Sequence, residues 1–186
     1  MDIEYNEIKR KQEIFIQDFS NILSQEKINK EYLELIFLCI GTDRMTGDCF
    51  GPLVGTKLEE LLREYNIFNI SIYGTLKENV SYTNVKQIVK IIKEKHKNAC
   101  IIVIDSALSK EENIGKIFVQ KEKMSLGKCL SKAKIEIGDI SIKAVVGKSY
   151  KLAKYNFLSL QNVSLNIVIN LSDIVVQGII NVIKYI

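Results

Sequence analysis

LELIFLCIGTDRMTGDCFGPLVGTKLEELLREY, residues 33–65, decides the fold. Its first part, LELIFLCIG (33–41), is a short apolar run closed by glycine, the pattern of a strand buried on both faces. From Gly51 to about Tyr65 the pattern turns helical, with Leu53, Val54, Leu58, Leu61 and Leu62 on one stripe. Pro52 suits the first turn of that helix, where no backbone N–H is required. Between strand and helix lies a glycine-rich connection of about ten residues, where a strand-to-helix loop usually takes two to six. A loop of that length at that point needs a reason.

Outward from this unit the alternation continues. FNISIYG (68–74) reads as a second strand, about Ser81 to His96 as a helix, and NACIIVID (98–105) as a third strand, apolar until its last residue. Strand–helix–strand–helix–strand alternation implies a parallel sheet with right-handed crossovers. IGKIFVQK (114–121) and IGDISIKAVVG (137–147) read as further strands, placed as an antiparallel sheet edge, and about Asn162 to Ile186 as one long helix. Residues 5–30 form an amphipathic helix around Ile8, Phe15, Phe19, Ile22 and Leu23. It is expected to pack on the domain or on a partner subunit, which leaves a homodimer open. The expectation is an N-terminal helical extension (1–30) and one α/β domain (31–186): a three-layer, mostly parallel sheet flanked by helices.

Composition narrows the function. The chain has 186 residues, enough for one substantial core. Its net charge of +4 is spread along the chain, unlike the concentrated basic face of a nucleic-acid binder, so no nucleic-acid partner is expected. Polar residues interrupt the most apolar segment, Leu165 to Ile186, and the charged N-terminal segment is unlike a signal peptide. No membrane association is expected, and the cytoplasm is the expected location. Cys39, Cys49, Cys100 and Cys129 show no metal-binding spacing; Cys39 and Cys100 suit packing in apolar strands.

The chemistry concentrates in GTDRMTGDCFGP, residues 41–52. It lacks GxxxxGK[ST], and Asp43 stands where GxGxxG needs its second glycine, so no nucleotide cofactor is expected. Ligands of open α/β sheets bind beyond the carboxyl ends of the strands, where strand order reverses. In a 2-1-3 order that crevice lies between the first and third strands. Asp48 leaves the first strand and Asp105 closes the third, so both overhang it. The helix dipole favours ionised Asp48, whereas burial raises Asp105. Such a pair can divide acid and base roles or share one proton. It could equally hold a metal with Asp43 or Thr46. The plainer readings are that Asp48 caps the helix, Asp105 bonds loop amides, and Asp43 pairs with Arg44 to brace the loop. Cys49 invites a thiol-nucleophile reading, but the only histidine, His96, precedes the third strand and belongs at the opposite sheet edge as a surface residue.

IFLCIGTDRMTGDCFGPLVG (36–55) resembles the opening of the YyaC-type sporulation proteins of spore-forming bacteria. YGTLKENV (73–80), IIVIDSAL (101–108), GDISIKAVVG (138–147) and LQNVSLNIVI (160–169) resemble that family in the same order, covering about residues 35 to 180. The family is similar to the spore germination protease and, more distantly, to hydrogenase maturation endopeptidases. The resemblance implies a phosphorylase/hydrolase-like, germination-protease-like sheet and a protein or peptide substrate made during sporulation. It matches Asp48 and Asp105 to the proposed catalytic aspartates. Thr42, Asp43, Arg44, Thr46, Gly47, Cys49 and Gly51 would shape the site, with Gly47 and the amides around Cys49 to Gly51 as oxyanion donors. In the maturation enzymes the equivalent acids join a histidine around nickel. This chain lacks a histidine there, so no metal is expected. GKSYKLAKYN (147–156) replaces a glycine-containing family segment. The alternative is a non-catalytic binding or regulatory protein that keeps the protease fold.

Overall fold

Five strands form the central sheet in the order Ile70–Tyr73 (β2), Glu34–Cys39 (β1), Ala99–Ser109 (β3), Ile140–Lys148 (β7) and Ile117–Gln120 (β4). The structure, a computed structural model, describes residues 2–29, 32, 34–126 and 135–184; Cys129 and Ile186 lie outside them. β1 (Glu34–Cys39), β2 (Ile70–Tyr73), β3 (Ala99–Ser109) and β7 (Ile140–Lys148) run parallel. The β2-β1-β3 order is the one that places a crevice between β1 and β3. β4 (Ile117–Gln120) is the antiparallel edge, paired with β7. β7 itself is an interior parallel strand, contrary to the expectation of an antiparallel edge, because its residues Ile140, Ile142, Ala144 and Val146 are needed in the core. β5 (Met124–Leu126) and β6 (Ile135–Ile137) form a separate antiparallel pair.

Strand alternation divides the core in two. Leu35, Phe37 and Cys39 of β1 and Ile102 and Ile104 of β3 face α2 (Phe50–Glu64) and α5 (Leu165–Ile183). Ile36, Leu38 and Val103 face α3 (Val85–Lys95), with Met124 and Ile137 of the small hairpin alongside. α2 buries Phe50, Val54, Leu58 and Leu62, a four-residue spacing that keeps one face inward. Each such side chain contributes about 2 kcal/mol on burial.

The C-terminal segment is two helices rather than one. α4 (Ala153–Gln161) ends where the Asn162 amide donates to the Leu158 carbonyl at 2.8 Å, and α5 starts after Ser164. No proline or glycine announces that break in the sequence. α5 is long and apolar enough to cross a membrane by length and composition, yet Val168, Leu171, Val175, Ile179 and Val182 lie in the core. The N-terminal helix, α1 (Asp2–Asn29), packs on α5 and β4 of its own chain. Phe15 and Phe19 stack at 5.7 Å inside the same cluster as α5, and the Glu26 carboxylate, nearly buried, is paired with Lys121 at 2.6 Å. The apolar stripe of α1 therefore has its cover within the chain.

Candidate active site

The crevice is built where β1 stops and β3 continues. Cys39 is paired with Ile104, the Ile40 amide donates to the Ile104 carbonyl at 2.7 Å, and β3 then runs on to Ser109 alongside β7. Asp105 is thus the first residue beyond the β1 ladder. It is not the last residue of its strand, as the sequence suggested, because polar and small residues after it keep pairing with β7. Its partner in register is Lys143, which presents its side chain on the same face. Lys143 escaped sequence reasoning, although one lysine inside the apolar run ISIKAVV was its available signal.

The loop from Gly41 returns over the end of β1. Gly41 has φ +142°, and a methyl there would meet the Asp48 carbonyl oxygen at 2.0 Å. Thr42 donates its amide to that carbonyl at 3.1 Å. At Gly51, a methyl would meet the Ile40 carbonyl at 2.1 Å, so the start of α2 presses directly on the end of β1. These two approaches, open only to glycine, fix the short 3-10 turn Gly47–Cys49 beside β3.

That turn carries Asp48 half-buried, and its side chain caps neither the 3-10 turn nor α2, whose N-cap is Cys49. The capping reading is therefore set aside. Burial pushes Asp48 above the ordinary aspartate value, with the Thr42 backbone N–H pulling back. Asp105 is pushed up to about 8, first by burial and then by the negative charge of Asp48, against the Ser106 amide and Lys143. Both acids are thus raised. The expectation of opposite shifts fails because desolvation outweighs the helix end at Asp48. Among the described residues no ion pair engages either carboxylate, and Lys143 is paired with Glu122 at 2.6 Å.

The other loop residues divide by position. Asp43 and Arg44 are exposed, and no ion pair joins them among the described residues. Instead the Thr42 hydroxyl donates to Asp43 at 3.4 Å and accepts from the Arg44 amide at 3.3 Å. Thr46 is half-buried before the turn; Gly47 and Gly51 are buried. The amides of Asp48 and Cys49 both donate to the Met45 carbonyl, at 3.0 and 3.1 Å. The Cys49 amide is accordingly committed within the turn rather than free for an oxyanion. Burial and the charges of Asp48 and Asp43 push the Cys49 thiol up, which disarms it as a nucleophile.

His96 is not a plain surface residue. Its Nδ1 lies 2.6 Å from Glu34 and its Nε2 2.8 Å from the Tyr73 hydroxyl, while Ser71 donates to the other Glu34 oxygen at 2.6 Å. This network holds the first residue of β1 to β2 and to the end of α3, away from Asp48. Among the described residues no group of three or more His, Cys, Asp and Glu side chains could hold a metal ion, so Asp43, Asp48 and Asp105 do not form a three-acid site. The residues present do not fit nickel.

Comparison with known proteins gives the family and the fold. Residues 7–178 match the family described as "Protein of unknown function (DUF1256)". The chain is 32% identical over 145 residues to the uncharacterized protein YyaC of Bacillus subtilis (strain 168), covering 78% of this chain and 67% of that one. Among solved structures, the [NiFe] hydrogenase maturation protease HycI from Thermococcus kodakarensis KOD1 superposes with a TM-score of 0.55 at 18% identity, over 82% of this chain and 93% of that one. At that identity the likeness speaks for the fold: a mostly parallel sheet flanked by helices, of the maturation-protease type.

Proposed function

The chain belongs to the DUF1256 family, and from that premise we propose that it is a peptide-bond hydrolase in which Asp48 and Asp105 activate water as a pair. One observation carries the reading: burial, and after it the charge of Asp48, hold Asp105 up to about 8, so at neutral pH the site carries a protonated Asp105 that feels the charge of Asp48. Asp48, whose negative charge helps to raise Asp105, draws a proton from water as the water oxygen attacks a peptide carbonyl. Asp105 donates its proton to the carbonyl oxygen; collapse of the tetrahedral intermediate breaks the C–N bond and returns a proton to the leaving amine. Two carboxyls sharing one proton are an established means of such catalysis. No step requires the histidine that this crevice lacks.

The likeness to the YyaC-type family points to a substrate protein or peptide made during sporulation. The experiment is cleavage of proteins from sporulating-cell extracts by wild type, Asp48→Asn and Asp105→Asn. Loss of at least about a hundredfold in both variants is expected, the scale of an acid–base contribution. Unchanged cleavage in both defeats the mechanism, and inert wild-type protein favours a binding or regulatory role on the same fold.

A further inference from the structure

A cluster of exposed apolar side chains borders the turn that carries Asp48. α4 buries none of its residues. Leu152 and Phe157 are 55% and 52% exposed, and Tyr150, Tyr155 and Leu158 nearly as much. Here lies an open cleft of about 470 Å³, with Val146 and Gly147 of β7 among the residues on one side and Tyr150, Tyr155 and Leu158 on the other. It adjoins the acid-bearing turn: Val163 lines the cleft, and a methyl at Gly47 would stand 2.9 Å from Val163 and 3.0 Å from Leu160. Glu111 lies beside this region, but the segment's own charge has one sign. Residues 147–166 contain Lys148, Lys151 and Lys154 and no acid. Lys148 is paired with Glu111 at 2.8 Å, and Lys154 lies 4.9 Å from the centre of the Tyr155 ring.

Taking the paired acids as the cutting site, we infer that this cleft docks the polypeptide substrate, and that the docked stretch combines acidic residues with large apolar ones. Apolar side chains fill the cleft between β7 and α4, while acidic residues meet Lys151 and Lys154, exposed next in the chain to the lining residues Tyr150 and Tyr155. A second copy of the chain fits poorly, because a symmetric contact would set these lysines against their own counterparts. A bilayer fits poorly as well, because a flat surface cannot reach Val146 and Gly147.

The test is fluorescence anisotropy with full-length Asp48→Asn protein, so that binding is read without cleavage. The probe is a labelled peptide alternating aspartate with leucine and phenylalanine; its control carries lysine for aspartate. Saturable binding of the acidic probe is expected. It should weaken at least about tenfold on adding Lys151→Glu with Lys154→Glu, a pair that gains the lysine control, and about tenfold on adding Tyr155→Ser with Leu158→Ser. These side chains are exposed, and matching melting curves check that the variants fold. Equal binding by all proteins overturns the inference. So does binding only to anionic phosphatidylglycerol vesicles, or a dimer in sedimentation that Tyr155→Ser with Leu158→Ser dissolves. Retained docking with no cleavage by wild type sinks the hydrolase reading alone, whereas cleavage without probe binding sinks the docking inference alone.

Discussion

Replacing Asp105 with asparagine should stabilise this protein at alkaline pH and leave it nearly unchanged in acid. The folded-state value of Asp105 is about 8 against an ordinary 3.8, so the folded chain holds this proton more tightly than the unfolded chain does. Its contribution to stability is therefore fully present below about pH 4 and is lost as pH rises through about 8. At ~1.4 kcal/mol per pH unit, the gap corresponds to at most about 6 kcal/mol. Solvent reaching the half-buried carboxylate brings this nearer about 3 kcal/mol. Asparagine keeps the shape and has no charge to desolvate. At roughly 2–4 °C per kcal/mol for a chain of this size, Asp105→Asn should melt about 6–12 °C above wild type at pH 9 and within about 2 °C of it at pH 4. Thermal melts followed by circular dichroism at both pH values read the difference. A gap of the same size and sign at both, or none at pH 9, refutes the claim that Asp105 is buried as an acid.

If the protein hydrolyses peptides as proposed, cleavage by the wild type should fall as pH rises through about 8, where Asp105 loses its proton; initial rates across pH 5–10 that stay level in that range contradict the mechanism. Gly41→Ala forces a methyl onto the Asp48 carbonyl at φ +142° and should cost about 2–4 kcal/mol in urea unfolding while disordering the turn. Phe19→Ala, emptying a fully buried site shared by α1 and α5, should cost about 3–5 kcal/mol, and a cost below about 1 kcal/mol would mean that α1 is dispensable to the core. His96→Phe should cost about 1–3 kcal/mol by stranding Glu34 and Tyr73, with the cleavage rate intact; lost cleavage in a folded variant would make His96 part of the chemistry.

The parallel strands were legible because burial on both faces leaves unbroken apolar runs, as in LIFLCI and ACIIVI. The same signal misplaced the end of β3. Beyond Asp105 the strand carries Ser106 and Ala107, and what keeps it extended is the partner β7, which lies more than thirty residues away in sequence. α4 and α5 merged into one helix because Asn162 and Ser164, which end one and begin the other, are also ordinary on a polar helix face. At the site, topology alone pointed Asp48 and Asp105 at one crevice, and in the structure the charge of Asp48 acts on Asp105. Their charge states required knowing that both are desolvated and that Asp48 caps nothing. His96 looked peripheral because its partners, Glu34 and Tyr73, come from two different strands.

Carbon-13 NMR titration of the aspartate carboxyl groups tests the centre of this account most directly. One carboxyl, assigned to Asp105 by its disappearance in Asp105→Asn, should titrate near pH 8, and it should titrate lower when Asp48 is replaced by asparagine. Both carboxyls titrating near the ordinary aspartate value, each indifferent to loss of the other, would show two independent surface acids.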